Sequence, residues 1–240
     1  MGVERKSMVL TPYEKKLTAF HEAGHALVAY YTKNADPVHK ITIIPRGMAL
    51  GITAQLPENE KYNYQKQYLL GRLDILMGGR CAEKIIFNDT STGAGNDIST
   101  ATDISRKMVC EWGMSDKIGP LSFGKKSEEV FLGREISHAR DYSDEISKII
   151  DSEITTFIKN AENNAIKILK EHSSELDRIA HALIEYETID GNEMKQLING
   201  ENINRVMPGK EVKKTRVRRK SAAGNAKKRK SNQDIITKPA

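Results

Sequence analysis

Cysteine, aromatic residues and long apolar runs are all scarce in this chain of 240 residues. The two cysteines, Cys81 and Cys110, form no C-x-x-C pair, so we expect a reducing compartment and no disulfide scaffold. No apolar run approaches the 18 or so residues that a membrane-spanning helix needs, and the first residues do not form a signal peptide. Aromatic residues make up 6% of the chain, which favours an aliphatic and mainly helical core.

Acidic residues are scarce in only one part of the chain. Residues 201–240 carry 13 Lys and Arg against 3 Asp and Glu, whereas residues 1–200 carry 25 against 29. The net charge of +6 therefore comes from the C-terminal part, which we predict to be a basic, disordered tail. Its basic residues between 213 and 230 could attract anionic lipid or nucleic acid, although no aromatic side chain among them offers a stacking platform for bases. A merely solvated tail is the other interpretation.

The most informative pattern is His21-Glu22-Ala23-Gly24-His25, which has the form H-E-x-x-H. Residues four apart lie on the same face of a helix, so the two imidazoles can bind one zinc ion. Glu22 between them is then placed to act as general base on a water molecule. The alternative interpretation is a pair of core histidines beside a solvated glutamate.

The sequence around this motif predicts a helix over residues 12–33. Thr11 is a candidate N-cap, Pro12 suits the first helical position and Glu14 completes a capping box. Turn-forming residues from position 34 onward end the helix. The apolar residues that share the face of the two histidines, so that the metal face is also the buried face, are Leu17, Phe20, Gly24, Val28 and Tyr31.

The rest of the chain predicts further helices and little β-structure. β-branched residues on both sides of a Pro-Arg-Gly turn indicate a hairpin with strands at residues 38–44 and 50–56. Glycines at positions 24, 78 and 79 inside predicted helices indicate close packing against a neighbouring element. The fold is therefore predicted to be mainly α, with a small β-hairpin or sheet near the active site. The other helices are predicted over residues 61–86, 97–111, 138–171, 174–187 and 190–199.

A catalytic zinc ion needs a third protein ligand and one open position. Glu83 and Asp97 both follow the motif at a distance that could supply this ligand, and their spacing does not decide between them. Asp97 also has an interpretation that needs no metal, because aspartate is favoured at the start of a helix.

Eight segments in chain order extend the pattern well beyond the zinc motif. They are Phe20–Ala26, Asp36–Gly47, Ala49–Gly51, Gly78–Arg80, Ser91–Ala94, Asn96–Ile98, Phe131–Gly133 and Tyr186–Ile189. With these segments, residues 4–200 resemble the protease domain of the FtsH family of membrane-anchored, ATP-dependent AAA+ zinc metalloproteases. The resemblance implies one zinc ion per chain with Asp97 as third ligand, and it makes Glu83 a structural residue near the site.

The resemblance also implies partners that this sequence does not contain. Family members carry membrane helices and an ATPase module before the protease domain, and they assemble as homohexamers. The segment 119–126 nearly matches a P-loop but lacks the final Ser or Thr, so we expect no ATP binding by this chain. We expect a soluble, isolated protease domain, whose full-length form is membrane-anchored and faces a reducing compartment such as the bacterial cytoplasm.

The hypothesis from sequence is a zinc metalloendopeptidase that hydrolyses unfolded or extended polypeptides. Residues 1–10 are predicted to be a linker, 11–200 the helical zinc-protease domain and 201–240 the basic tail. His21, His25 and Asp97 hold zinc and Glu22 is the catalytic base. The alternative is a non-catalytic, zinc-stabilised oligomerisation domain whose tail binds anionic lipid or nucleic acid. An intact glutamate at position 22 argues against that alternative, because a structural zinc site needs no base.

Overall fold

The computed structural model describes residues 10–45, 50–57, 62–123, 142–203 and 205. The chain divides into two units, residues 1–203 and 204–240, and every helix and strand below belongs to the first. Several sequence predictions lie wholly or mostly outside the described residues: the linker at 1–10, the turn at 46–49, the Phe131–Gly133 segment and the basic tail.

Helix α1 (Pro12–Tyr31) begins as the capping box predicts. The Thr11 side chain accepts a hydrogen bond from the Glu14 backbone amide, and the Glu14 carboxylate accepts one from the Thr11 amide at 2.8 Å. The helix is buried from Thr18 to Ala29, including both histidines and the glutamate of the motif. It ends two residues earlier than predicted, because Thr32 is already extended and Asn34 adopts a left-handed conformation (φ 64°).

A small antiparallel sheet follows, built from strands β1 (Val38–Thr42), β2 (Ile52–Gln55) and β3 (Thr188–Asp190) in the order β2-β1-β3. The hairpin prediction is confirmed by the β1–β2 pairing, in which Ile41 faces Thr53. Strand β3 was not predicted, because three residues are too few to show an alternation of apolar and polar side chains. Strand β2 lies at the edge of this sheet, and only its β1 side is paired within it.

Helix α2 (Lys66–Phe87) packs directly on α1, backbone against backbone. A Cβ atom added to Gly24 would lie 2.5 Å from the Gly78 carbonyl oxygen, and one added to Gly78 would lie 2.8 Å from the Gly24 carbonyl oxygen. The predicted role of these glycines in close packing is thereby confirmed. The helix begins later than predicted, since residues 62–65 are not helical and Gln65 is its extended N-cap.

Four further helices complete the described part of the fold: α3 (Gly95–Cys110), α4 (Asp144–Glu171), α5 (Ser173–Tyr186) and α6 (Gly191–Ile198). Helix α4 packs on α2 and α3, and α5 packs on α1, so their apolar stripes form internal core. Helix α4 begins at Asp144 behind the N-cap Ser143, whereas the predicted start at position 138 lies outside the described residues. The mainly α prediction is confirmed. None of the helices in the described ranges is both long and apolar enough to cross a bilayer.

Asp74 on α2 is half-buried against α4, where it accepts hydrogen bonds from the Asn164 amide at 3.3 Å. Burial raises the pKa of Asp74 from 3.8 to about 6, although the bond from Asn164 opposes this change. The folded state therefore binds more protons than the unfolded state between these two values. As a result, the free energy of unfolding falls as the pH rises from 4 to 6.

We expect Asp74→Asn to remove this part of the pH dependence. At pH 7.5 the variant should be more stable than the parent by about 1 kcal/mol, a value reduced from the full pKa difference because the carboxylate keeps part of its hydration. At pH 4 the gain should vanish. Urea unfolding across this pH range measures the effect, with Asp151→Asn on the exposed face of α4 as the control. An unchanged pH slope in Asp74→Asn would contradict this account.

Candidate metal centre

The two histidines of α1 lie side by side in the buried part of the helix, each 8% exposed. The Nε2 atoms of His21 and His25 are 3.0 Å apart. Their other ring nitrogens are held by α2: His21 Nδ1 lies 2.7 Å from Glu83 Oε1, and His25 Nδ1 lies 2.7 Å from the Ile75 carbonyl oxygen. Each histidine is thus fixed at its Nδ1 atom by a partner on the neighbouring helix.

These partners determine which ring nitrogen carries the proton. A carbonyl oxygen only accepts hydrogen bonds, and so does an ionised carboxylate, so Nδ1 is the donor in both histidines. The Nε2 atoms of His21 and His25 therefore present lone pairs to each other. Two lone pairs at 3.0 Å repel unless a cation or a proton lies between them, so this arrangement suits a metal site.

Asp97 completes a triangle of donor atoms. It is the third residue of α3, and its Oδ2 atom lies 3.4 Å from His21 Nε2 and 3.2 Å from His25 Nε2. Tetrahedral zinc with nitrogen and oxygen ligands at about 2.0–2.1 Å would place its ligand atoms roughly 3.3 Å apart. The three observed separations bracket this value. The donor set, two imidazoles and a carboxylate, is also one that zinc accepts in catalytic sites.

The charges in the site agree with this arrangement. Burial lowers the pKa of His21, but the hydrogen bonds to Asp97 and Glu83 more than reverse this effect and raise the pKa to about 10. Burial raises the pKa of Asp97, yet the two histidines outweigh it and hold that pKa well below its usual range. Both shifts favour the charged forms of His21 and Asp97 when no metal is bound. A metal ion would compete with the imidazolium proton for the same lone pair.

Glu83 is placed to orient the site from the other side of His21. Besides the contact with His21 Nδ1, its carboxylate accepts hydrogen bonds from the Ser91 amide at 2.6 Å and the Ser91 hydroxyl at 3.0 Å. The structure therefore brings Asp97, and not Glu83, to the Nε2 atoms, although spacing in the sequence left both open. Carboxylates in this position fix the tautomer and the orientation of a ligating histidine.

Glu22 lies beside the donor atoms with only 6% of its surface exposed. Its Oε2 atom accepts a hydrogen bond from the Thr53 hydroxyl of β2 at 2.7 Å, and a Cβ atom added to Gly51 would lie 2.6 Å from its Oε1 atom. Burial raises the pKa of Glu22, while the charges of His25 and His21 act in the opposite direction. Sequence reasoning missed Thr53 and Ser91, because each is an ordinary polar residue whose role depends on a partner far away in the chain.

A cleft of about 1060 Å³ opens over these residues. Its walls include both histidines and Glu22 from α1, Asp97 from α3, and Ile52, Thr53 and Gln55 from β2. The candidate metal ligands therefore lie at the floor of an accessible groove that is large enough for a peptide.

Comparison with known proteins agrees with the resemblance seen in the sequence. The family model described as Peptidase family M41 matches residues 8–197. The chain belongs to peptidase family M41. The matched range includes both histidines, Glu22 and Asp97.

Individual M41 relatives are similar over most of this chain. The ATP-dependent zinc metalloprotease FtsH of Acidobacterium capsulatum is 51% identical over 208 residues, which is 87% of this chain and 32% of the relative. FtsH 1 of Thermoanaerobacter sp. is 50% identical over 84% of this chain and 33% of its own length. FtsH 1 of Bdellovibrio bacteriovorus is 46% identical over 98% of this chain and 36% of its own length. The chain thus spans about a third of the curated relatives it matches.

We expect Asp97→Asn to weaken zinc binding by about 100-fold or more, because a neutral amide oxygen replaces the charged atom that faces both Nε2 atoms. Competition with a chromophoric chelator measures the affinity, and zinc content after dialysis gives a second readout. Asp103→Asn, on the exposed side of the same helix, is the matched control. Equal zinc affinity in Asp97→Asn and the parent would move the third ligand elsewhere.

Proposed function

We propose that residues 11–200 form a zinc-dependent endopeptidase domain that hydrolyses peptide bonds in unfolded or extended polypeptides. Membership of family M41 supports a peptidase, and the relatives named above are zinc metalloproteases. The observation that carries the proposal is the position of Glu22. Its carboxylate is held at the floor of the cleft beside the three donor atoms, where a structural metal site would have no use for it.

His21, His25 and Asp97 would hold the zinc ion. Zinc in this place would supply Lewis-acid chemistry, which polarises the scissile carbonyl group and favours ionisation of the attacking water. The remaining task of the protein is to keep the ligands fixed. Glu83 and the Ile75 carbonyl oxygen do this, because they hold the Nδ1 protons and keep both Nε2 lone pairs directed into the cleft.

Glu22 acts as general base and then as general acid. Thr53 donates a hydrogen bond to its Oε2 atom and so fixes the carboxylate that takes a proton from the attacking water. The same carboxyl group can then give this proton to the leaving amine. Gly51 leaves room for this carboxylate, because a Cβ atom at position 51 would lie 2.6 Å from Oε1.

The substrate is an extended polypeptide that lies along β2. Among the described residues this strand is at the edge of the sheet and contributes to the wall of the cleft, so its side opposite β1 can pair with a substrate backbone. Main-chain hydrogen bonds depend little on which side chains the substrate carries. Recognition of this kind suits a degradative protease that must accept many unfolded chains.

We propose three further properties for a longer protein of the FtsH type that would contain this domain. They are coupling to an ATPase, assembly as a homohexamer and membrane anchorage. They rest on the resemblance and on the names of the FtsH relatives, which are ATP-dependent zinc metalloproteases. Contact of the 213–230 segment with anionic surfaces stays a prediction from composition alone.

We expect Glu22→Gln to keep zinc and to lose about 100-fold or more of the peptide-cleavage rate, because glutamine has the same shape but cannot accept the proton. A short, unstructured fluorogenic peptide is the substrate, since it needs no ATP-driven unfolding. Glu185→Gln, exposed on α5, should behave as the parent does, and a chelator should abolish cleavage. Cleavage at the parental rate by Glu22→Gln would contradict the role of Glu22. A zinc-loaded parent that cleaves nothing would favour the non-catalytic alternative.

Thr53 offers a second test of how the base is positioned. Thr53→Val keeps the shape but removes the hydroxyl group that binds Glu22 Oε2, so we expect kcat to fall about 10-fold. KM should change little, because the strand backbone is intact. Thr53→Ser retains the hydroxyl group and should restore most of the rate. An equal loss in the serine variant would indicate that the Thr53 methyl group matters and the hydrogen bond does not.

A further inference from the structure

Gly79 is the residue of α2 that directly faces the two imidazole rings. A Cβ atom added to it would lie 2.5 Å from the Nε2 atoms of both His21 and His25, and 2.6 Å from His21 Cε1. Real Cβ atoms essentially never come within 3.0 Å of another heavy atom in this way. The space in front of the two nitrogen atoms therefore exists only because position 79 has no side chain.

The neighbouring Gly78 meets a different kind of atom. Its added Cβ would contact the Gly24 carbonyl group and the His25 Cα atom, which belong to the backbone of α1 and cannot move independently of that helix. The atoms in front of Gly79 are the ends of side chains, which can rotate. The two adjacent glycines thus have separable roles: Gly78 sets the distance between the helices, and Gly79 leaves room for the rings.

We propose that Gly79 is a positioning residue of the metal site, which keeps both imidazoles in the orientation that brings their Nε2 atoms to 3.0 Å. A methyl group at this position displaces at least one ring, and the displaced ring leaves its partner, Glu83 or the Ile75 carbonyl oxygen. The triangle of donor atoms is then incomplete. The inference rests on the proposed function only in taking zinc as the metal.

Glycine inside a helix lowers helix stability relative to alanine, so we expect a glycine there to serve close packing or a functional site. If Gly79 positions the rings, Gly79→Ala should weaken metal binding far more than it destabilises the metal-free fold. A glycine that served packing alone would show the opposite pattern, because the helices would be forced apart whether or not metal is present. These two patterns can be measured independently of peptide cleavage.

The experiment compares Gly79→Ala, Gly78→Ala and Gly95→Ala in the full 240-residue chain. Zinc affinity comes from chelator competition, and the Tm is recorded with and without zinc by circular dichroism. We expect Gly79→Ala to bind zinc about 100-fold or more weakly, with a metal-free Tm within about 3 °C of the parent and little increase on adding zinc. Gly95 opens α3 close to Asp97, but an added Cβ meets nothing within 4 Å, so Gly95→Ala should bind zinc as the parent does.

Gly78→Ala should instead lower the Tm of the metal-free protein clearly, because its added Cβ meets backbone. Zinc affinity in Gly79→Ala within a few-fold of the parent would overturn the proposal. A parent that binds zinc but cleaves no peptide would refute the proposed function and leave the role of Gly79 standing if the affinities differ as stated.

A variant that lacks both imidazole rings provides the test if Gly79→Ala fails to fold. His21→Ala and His25→Ala remove both rings that the added Cβ would meet. In that double variant we expect the further change Gly79→Ala to leave the Tm unchanged or to raise it, since only the gain in helix propensity remains. A marked fall in Tm would show that Gly79 packs against atoms other than the rings, and it would overturn the proposal.

Discussion

The site depends on the close contact between α1 and α2 at Gly24 and Gly78. Because these helices touch through their backbones, the Ile75 carbonyl oxygen and the Glu83 carboxylate of α2 lie within hydrogen-bonding distance of two side chains of α1. Wider spacing would leave both histidines without their Nδ1 partners. Glycine lowers the stability of each helix, but without it the imidazoles would lack fixed orientations. Fold and site are thus specified by the same contact.

Glu83 extends this dependence to the third donor atom. It is almost fully buried, and it binds His21 with one side of its carboxylate and Ser91 with the other. Ser91 in turn caps the short 3-10 turn Thr92–Ala94, which leads directly into α3 and Asp97. One carboxylate therefore fixes the position of two of the three donor atoms. A cation bound by all three donors would link α1 to α3, so its binding should also strengthen the local fold.

Sequence alone predicted the parts of this protein that depend on local physics. The capping box at Thr11 and the hairpin of β1 and β2 follow from residues close together in the chain, and both are present. The choice between Glu83 and Asp97 could not be made from spacing, because it depends on which nitrogen of His21 each carboxylate reaches. Strand β3, which is only three residues long, and the Thr53–Glu22 bond were also missed. Both join residues that are distant in sequence.

In the proposed function, the edge strand would unite two requirements that usually conflict, acceptance of many substrates and accurate placement of the reacting bond. Strand β2 holds Glu22 through Thr53 and at the same time forms the wall along which a substrate would pair. A backbone ladder has a fixed repeat, so a paired substrate presents its carbonyl groups at set distances from the base whatever its side chains are. Accuracy then comes from the strand itself. Such a site can be indifferent to substrate sequence without loss of alignment, because the strand that would align the substrate also holds, through Thr53, the carboxylate that takes the proton.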